Sequence, residues 1–305
     1  MTGSEDLRAA PSPEPLGPEH VVSVATMTTD PTTDPTPDAS NGVERRRWND
    51  RRWTAIWVRR ERFTSSVTEH LLAHLAPAAG ERILDVGSGG GLATAAIAES
   101  VGPTGVAVGA DVSVPLCELA YERAQQAGVP NASFVVADAQ HDEIAGAPFD
   151  AAASQFGVMF FDDPRQAFAN IRRHVAPGGR LAFVCWQSKE ANPWFVGDAL
   201  APFVAPPPPA LGKRPTGPFS LADPGETTQI LAGAGWTDIE RHPYEVVVTA
   251  ERDAIADRDQ LVVQGVGPEE LDAAWNALQA AIAPLARPDG RYDAPLAFQV
   301  FTARA

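Results

Sequence analysis

The sequence predicts an α/β domain built on a doubly wound parallel sheet. Two observations carry that expectation. From Arg82 to Trp186 short apolar runs, partly β-branched, alternate with runs of helical spacing, the repeat expected of successive β-α units. The first of these runs, in RILDVGSGGGLATAA (82–96), ends in an acid and a burst of glycine, which reads as a buried strand, a tight turn and a helix start.

The chain begins differently. Its first 43 residues hold seven acids against one arginine and are rich in Pro, Thr, Asp and Ser. Such a composition buries too little apolar surface to fold, so 1–43 is expected to be a disordered acidic tail and 44–305 a single domain. Residues 44–63 then bring eight arginines, three acids and Trp48, Trp53 and Trp57. The apolar positions of this segment form no broad stripe of the kind that inserts into a membrane. The chain as a whole carries a net charge of −15, which argues against a nucleic-acid partner.

Thr64 to Leu75 places Val67, Leu71, Leu72 and Leu75 at helical spacing and stops before Pro77 and Gly80. His70 and His74 share a helix face but have no third ligand nearby, so no metal site is expected. Ile83, Leu84 and Val86 suit a strand covered on both faces. Asp85 interrupts them where open α/β sheets bind ligands. Gly87, Gly89, Gly90 and Gly91 allow positive φ and close approach of a ligand, and a helix opens at Leu92. Val106 to Asp111 is a second strand, whose terminal acid lies twenty residues after Gly91, where a carboxylate holds a ribose diol.

Further along, Pro115 to Gly128 is expected to be a helix, Ser133 to Val136 and Phe149 to Ser154 strands, and Arg165 to His174 a helix. A turn at Pro177, Gly178 and Gly179 precedes a fifth strand from Arg180 to Trp186. Ser188 to Pro224 is rich in proline and too long for a simple loop. Helices are expected at 226–235 and 269–285, and strands at 237–249 and 297–302. Cys117 and Cys185 fall in apolar segments and read as buried, reduced thiols. No apolar stretch is long enough to span a membrane and no signal pattern opens the chain, so the cytoplasm is the expected compartment.

The dinucleotide fingerprint G-x-G-x-x-G would need glycine at Leu92, which disfavours a nicotinamide oxidoreductase. The acid followed by G-x-G-x-G instead resembles motif I of the class I S-adenosylmethionine (SAM) methyltransferases. VAVGAD (106–111), FVVADAQH (134–141), FDAAASQFGVMFFDDP (149–164), AFANIRRHVAPGGRLAFVCW (167–186) and NPW (192–194) resemble, in order and spacing, the small-molecule, ubiquinone/menaquinone methyltransferase-like branch of that family. The resemblance runs from about Trp48 to the end of the chain.

That resemblance implies a Rossmann-like sheet of seven strands with an antiparallel last strand, an N-terminal helical lid at 44–63 and an acceptor-side insertion at 188–224. It implies SAM as cofactor. Gly87, Ser88, Gly89 and Gly91 would line its methionine part, with Asp85 beneath the amino group. Asp111, followed by Val112, would take the ribose hydroxyls. Asp138 would accept from the adenine amino group, with Ala139 and Gln140 beside the ring. Ser154, Gln155 and Phe156 would close the pocket near the sulfonium, and relatives often carry arginine where this chain has Gln155. Trp53, Trp57, His141, Met159 and Trp194 are the candidate acceptor contacts, and no catalytic residue is singled out. The implied reaction is methylation of O or N, rather than C, of a small, hydrophobic or aromatic metabolite. A non-catalytic SAM-binding regulatory module and a peptide or protein methyltransferase stand as alternatives, and a homodimer stays open.

Overall fold

The computed structural model describes residues 41–204 and 216–305. The expected acidic tail therefore lies outside the described residues up to position 40, as do 205–215 of the proline-rich insertion. Asn41 to Val43, assigned from composition to the tail, open the first helix instead.

The elements follow one another as α1 (Gly42–Asn49), α2 (Arg51–Glu61), α3 (Val67–Leu75), β1 (Arg82–Val86), α4 (Leu92–Val101), β2 (Val106–Asp111), α5 (Val114–Ala127), β3 (Ala132–Val136) and β4 (Phe149–Gln155). After these come α6 (Pro164–His174), β5 (Val175–Trp186), α7 (Gly197–Leu200), α8 (Pro224–Gly233), β6 (Thr237–Ala250), α9 (Arg252–Ile255), α10 (Arg258–Val263), α11 (Leu271–Ile282) and β7 (Tyr292–Arg304). The seven strands form one sheet in the order β3-β2-β1-β4-β5-β7-β6. β7 runs antiparallel to both of its neighbours, while the other pairings are parallel.

Local chemistry explains where elements start. Ser113, Asp163 and Asp223 each accept a backbone N–H of the first turn of α5, α6 and α8, and each of those helices has proline at its first positions. Such a cap contributes about 1 kcal/mol to a helix. Ile83 and Leu84 of β1 are fully buried because helices cover both faces of the sheet's centre.

Two strands differ from their sequence expectation. The residues expected to form a turn at 177–179 belong to β5, whose register against β4 jumps from Phe149↔Val175 to Ala151↔Arg180, so the extra residues bulge within the strand. β7 begins at Tyr292, five residues before the expected start, and includes Pro295. Pro295 pairs only with β6, because β5 reaches β7 only from Phe298 onward. A missing N–H at a position with a single neighbour costs the sheet nothing, but in sequence a proline argues against a strand.

Strands β2 and β3 lie to one side of β1, and β4 and β5 to the other. The chain therefore reverses direction across the sheet between β1 and β4, and their carboxyl ends diverge there to leave a crevice. α1 and α2 cross above it. Arg59 pairs with Asp257, and Arg60 donates to Gln260 at the start of α10, which ties α2 to the β6–β7 connection.

Candidate functional site

The crevice encloses about 690 Å³, open solvent at its mouth included. Its floor is Val86, Gly87 and Gly89 after β1, Asp111 and Val112 after β2, and Ala137 to Ala139 after β3. Gln155, Phe156 and Gly157 close it from β4, and Trp48, Trp57, Phe160 and Phe161 form an aromatic wall opposite.

The glycine turn is shaped by protein contacts as much as by any ligand. A Cβ on Gly87 would lie 2.6 Å from Cα of Gly157, so the turns after β1 and β4 touch backbone to backbone. One on Gly91 would meet Ala120 and Phe134, which puts that residue behind the turn and away from the pocket. Arg123 donates to the carbonyl of Gly90 (3.0 Å) and pairs with Glu61 (2.6 Å), bolting the end of α2 to the turn. At the tip of β4, Phe156 takes a left-handed φ of 65°, a conformation costing about 1 kcal/mol or more. Its ring stacks on Trp186 with centroids 4.1 Å apart.

Three carboxylates end the first three strands or follow them. Asp111 accepts from the backbone N–H of Gly89 on one oxygen and of Ser113 on the other, both at 2.9 Å. Burial raises its pKa, and those N–H groups oppose the rise. Asp138 accepts the Nδ2 of Asn41 on both oxygens (2.9 and 3.0 Å) and the N–H of Gln140 on one. Asp85 is wholly buried beneath the glycine turn. Its Oδ2 accepts from Thr94 Oγ1 (2.6 Å), and its Oδ1 has no partner among the described residues. Burial pushes its pKa up to about 6 despite the Thr94 bond.

Of the residues singled out from sequence, Gly87, Gly89, Asp111, Val112, Asp138, Ala139, Gln155, Phe156 and Trp57 line the pocket. Asp85, Ser88, Gly91, Gln140 and Ser154 stand behind them. Ser154 donates to the carbonyl of Val86 and accepts from Gly157 and Val158, so it shapes the turn. Gln140 accepts from the N–H of Asp163 and meets His141, whose ring faces Gln166 outside the pocket.

Three acceptor candidates are also set apart from the pocket. Met159 is buried in the core, and Trp194 packs on Phe63 and Trp186 with its indole N–H given to Asn192. Trp53 lies on the outer side under the guanidinium of Arg47. Aromatic residues at such spacing bury themselves wherever the core lacks volume, which sequence does not reveal.

Asn41 and Glu44 line the pocket although the sequence reading passed them over. Both are buried. Asn41 also accepts the N–H of Asp162 (2.8 Å), and burial raises the pKa of Glu44, whose carboxylate takes bonds from Arg47 and Trp48. Asn49 fastens α1 from its other end, donating to the carbonyl of Val112 and accepting from the N–H of Val114, each at 3.0 Å. No sequence signal marks the contacts of Asn41 and Asn49 across the crevice, since they join residues 63 to 121 positions apart.

Residues 83–179 match a family model described as a methyltransferase domain. Aklanonic acid methyltransferase DauC of Streptomyces sp. (strain C5) is 35% identical over 107 residues, covering 35% of this chain and 49% of that protein. O-methyltransferase rstn1 of Aspergillus nomiae is 37% identical over 138 residues, covering 44% and 58%. The ubiquinone/menaquinone biosynthesis C-methyltransferase UbiE of Ectopseudomonas mendocina is 36% identical over 115 residues, covering 37% and 44%. The chain thus spans about half the length of the curated relatives it matches.

Among solved structures, the fold is shared with phosphoethanolamine N-methyltransferase 2 of Haemonchus contortus (TM-score 0.55, 16% identity, 88% of this chain and 61% of that one). It is shared too with the YcgJ protein of Bacillus subtilis (TM-score 0.51, 15% identity, 78% and 97%).

Proposed function

We propose, from the premise that residues 83–179 are a methyltransferase domain, that this chain transfers a methyl group from SAM to O or N of a small, hydrophobic or aromatic metabolite. The observation that carries the reading is the placement of Asp111 and Asp138 along one crevice with the glycine turn, facing an aromatic wall. The relatives' printed names, an aklanonic acid methyltransferase and an O-methyltransferase, support a small-molecule acceptor.

The residues present fit such a cofactor. Asp85 keeps a buried oxygen without a partner among the described residues, which a cationic amino group would satisfy directly or through water. Asp111 offers a ribose two anionic oxygens already oriented by backbone N–H groups. In this reading Asp138, Ala139 and Val112, which line the crevice, would border the adenine, and Gly87 and Gly89 the methionine part.

When bound, SAM supplies a methyl carbon on a sulfonium that a nucleophile displaces in line. Trp48, Phe156 and Phe160 would exclude water there, and aromatic rings suit a cation whose charge disperses in the transition state. Orientation of the acceptor by these walls, rather than a dedicated base, is the protein's main contribution in this reading.

The test is incubation of the full chain with methyl-labelled SAM, a panel of phenols, carboxylic acids, amines and peptides, and a host metabolite extract, read by mass spectrometry. A labelled small molecule is the expected product. A labelled peptide alone, or tight binding of S-adenosylhomocysteine with no label transferred, would overturn the small-molecule reading in favour of a protein methyltransferase or a regulatory module.

A further inference from the structure

Trp57 reaches the glycine turn from outside the sheet. A Cβ on Gly89 would lie 3.0 Å from its Nε1, so the indole nitrogen sits against that turn, and Trp57 is part of the pocket lining. The nitrogen is buried and has no hydrogen-bond partner among the described residues.

Its position is held from three sides. Trp48 packs edge-on against the ring at 5.4 Å. Glu61, four residues on and so on the same face of α2, is bolted to Gly90 through Arg123. Arg59 anchors the outer face of α2 to Asp257.

The other side-chain donors lining the pocket are engaged. Asn41 gives its Nδ2 to Asp138, Gln155 gives its Nε2 to the carbonyl of Thr64, and Trp48 donates to Glu44. No lysine or arginine lines the pocket among the described residues. An indole N–H only donates, so a cationic amine cannot satisfy it and an anionic oxygen can.

Resting on the SAM reading, we infer that Trp57 binds the α-carboxylate of the cofactor's methionine end through its indole N–H, rather than serving as an acceptor wall. The amino group and the carboxylate of that end then have separate partners. Asp85 on β1 keeps Oδ1 open, and Trp57 Nε1 lies against Gly89.

The experiment is calorimetric titration of the full-length wild type and Trp57→Phe with S-adenosylhomocysteine and with 5′-methylthioadenosine, which lacks the amino-acid end. Phe keeps an aromatic ring and removes the N–H. The variant should bind S-adenosylhomocysteine about tenfold more weakly, as for loss of one charge-assisted bond, and methylthioadenosine within about twofold of wild type. Equal weakening of both ligands would mark a packing role and overturn the inference, as would unchanged affinity for S-adenosylhomocysteine.

A second measurement does not depend on the variant folding. Wild type should bind the decarboxylated analogue of S-adenosylhomocysteine, which keeps the amino group, about tenfold more weakly than the parent. Equal affinity for the two overturns the assignment while leaving the cofactor reading in place. Failure of wild type to bind any of these ligands overturns both.

Discussion

At the β3 end of the pocket Asp138 holds Asn41 on both of its oxygens, whereas at the β1 end Asp85 keeps one oxygen and Trp57 its N–H without a partner among the described residues. The two ends therefore relate to a ligand in opposite ways. At the β1 end the open polar atoms, Asp85 Oδ1 behind the pocket lining and Trp57 Nε1 against Gly89, are already desolvated by folding, so a bond made to either by a ligand or a bridging water strips no further water from it. A group arriving at the β3 end must first replace a carboxamide supplied by the chain itself.

The largest expected effect tests the unsatisfied end. The Asp85 carboxyl titrates near 6 in the fold against an ordinary value of 3.8, so between those values the folded chain binds more protons than the unfolded one. Stability of the ligand-free protein should therefore rise as pH falls from above 6 toward 3.8, by about 3 kcal/mol from this group. Asp85→Asn should flatten that slope and raise the melting temperature at about pH 7.5, while weakening S-adenosylhomocysteine. Melting curves of both proteins at about pH 5 and 7.5 check it, and an identical slope in the variant would break the contrast between the ends.

Asp111 stands between the two ends, its oxygens binding the glycine turn and the start of α5. Asp111→Ala should weaken S-adenosylhomocysteine at least about tenfold and lower the melting temperature modestly, since two N–H groups lose their acceptor. Unchanged affinity by calorimetry would remove the ribose assignment.

A smaller effect of opposite sign is expected at the β3 end. Asn41→Ala frees Asp138 and should tighten binding by about three- to tenfold, the worth of one net hydrogen bond. Weaker binding in that variant would instead make Asn41 a holder of the ligand. The smallest effect sharpens the same point: removing residues 1–40 should leave melting temperature and affinity nearly unchanged, while removing 1–43 should act like Asn41→Ala. Thermal melts and calorimetry on the two truncations separate them.

Most of the sheet was legible because its signals are local. Continuous apolar runs, helical spacing and an acid before a glycine turn depend on neighbours within a few residues, and they place β1 to β4 and the helices α4 to α6 within a residue or two. The strands that were misjudged are those where a local signal points away from the sheet context. Gly178 and Gly179 read as a turn but sit in a bulge, and Pro295 reads as a breaker but faces a single neighbour.

By itself, then, the sequence determined the fold class, the glycine turn and the strand-tip acids Asp111 and Asp138, each written within one β-α unit. Only the tertiary structure decided which groups meet across the pocket. Asn41 on Asp138, Trp57 on the glycine turn and Glu61 on Arg123 join segments 32 to 97 positions apart, and Asp85 is left beneath the turn with one oxygen unpaired. Burial and polar satisfaction depend on what packs from the far side of the fold, and no local pattern encodes that distance.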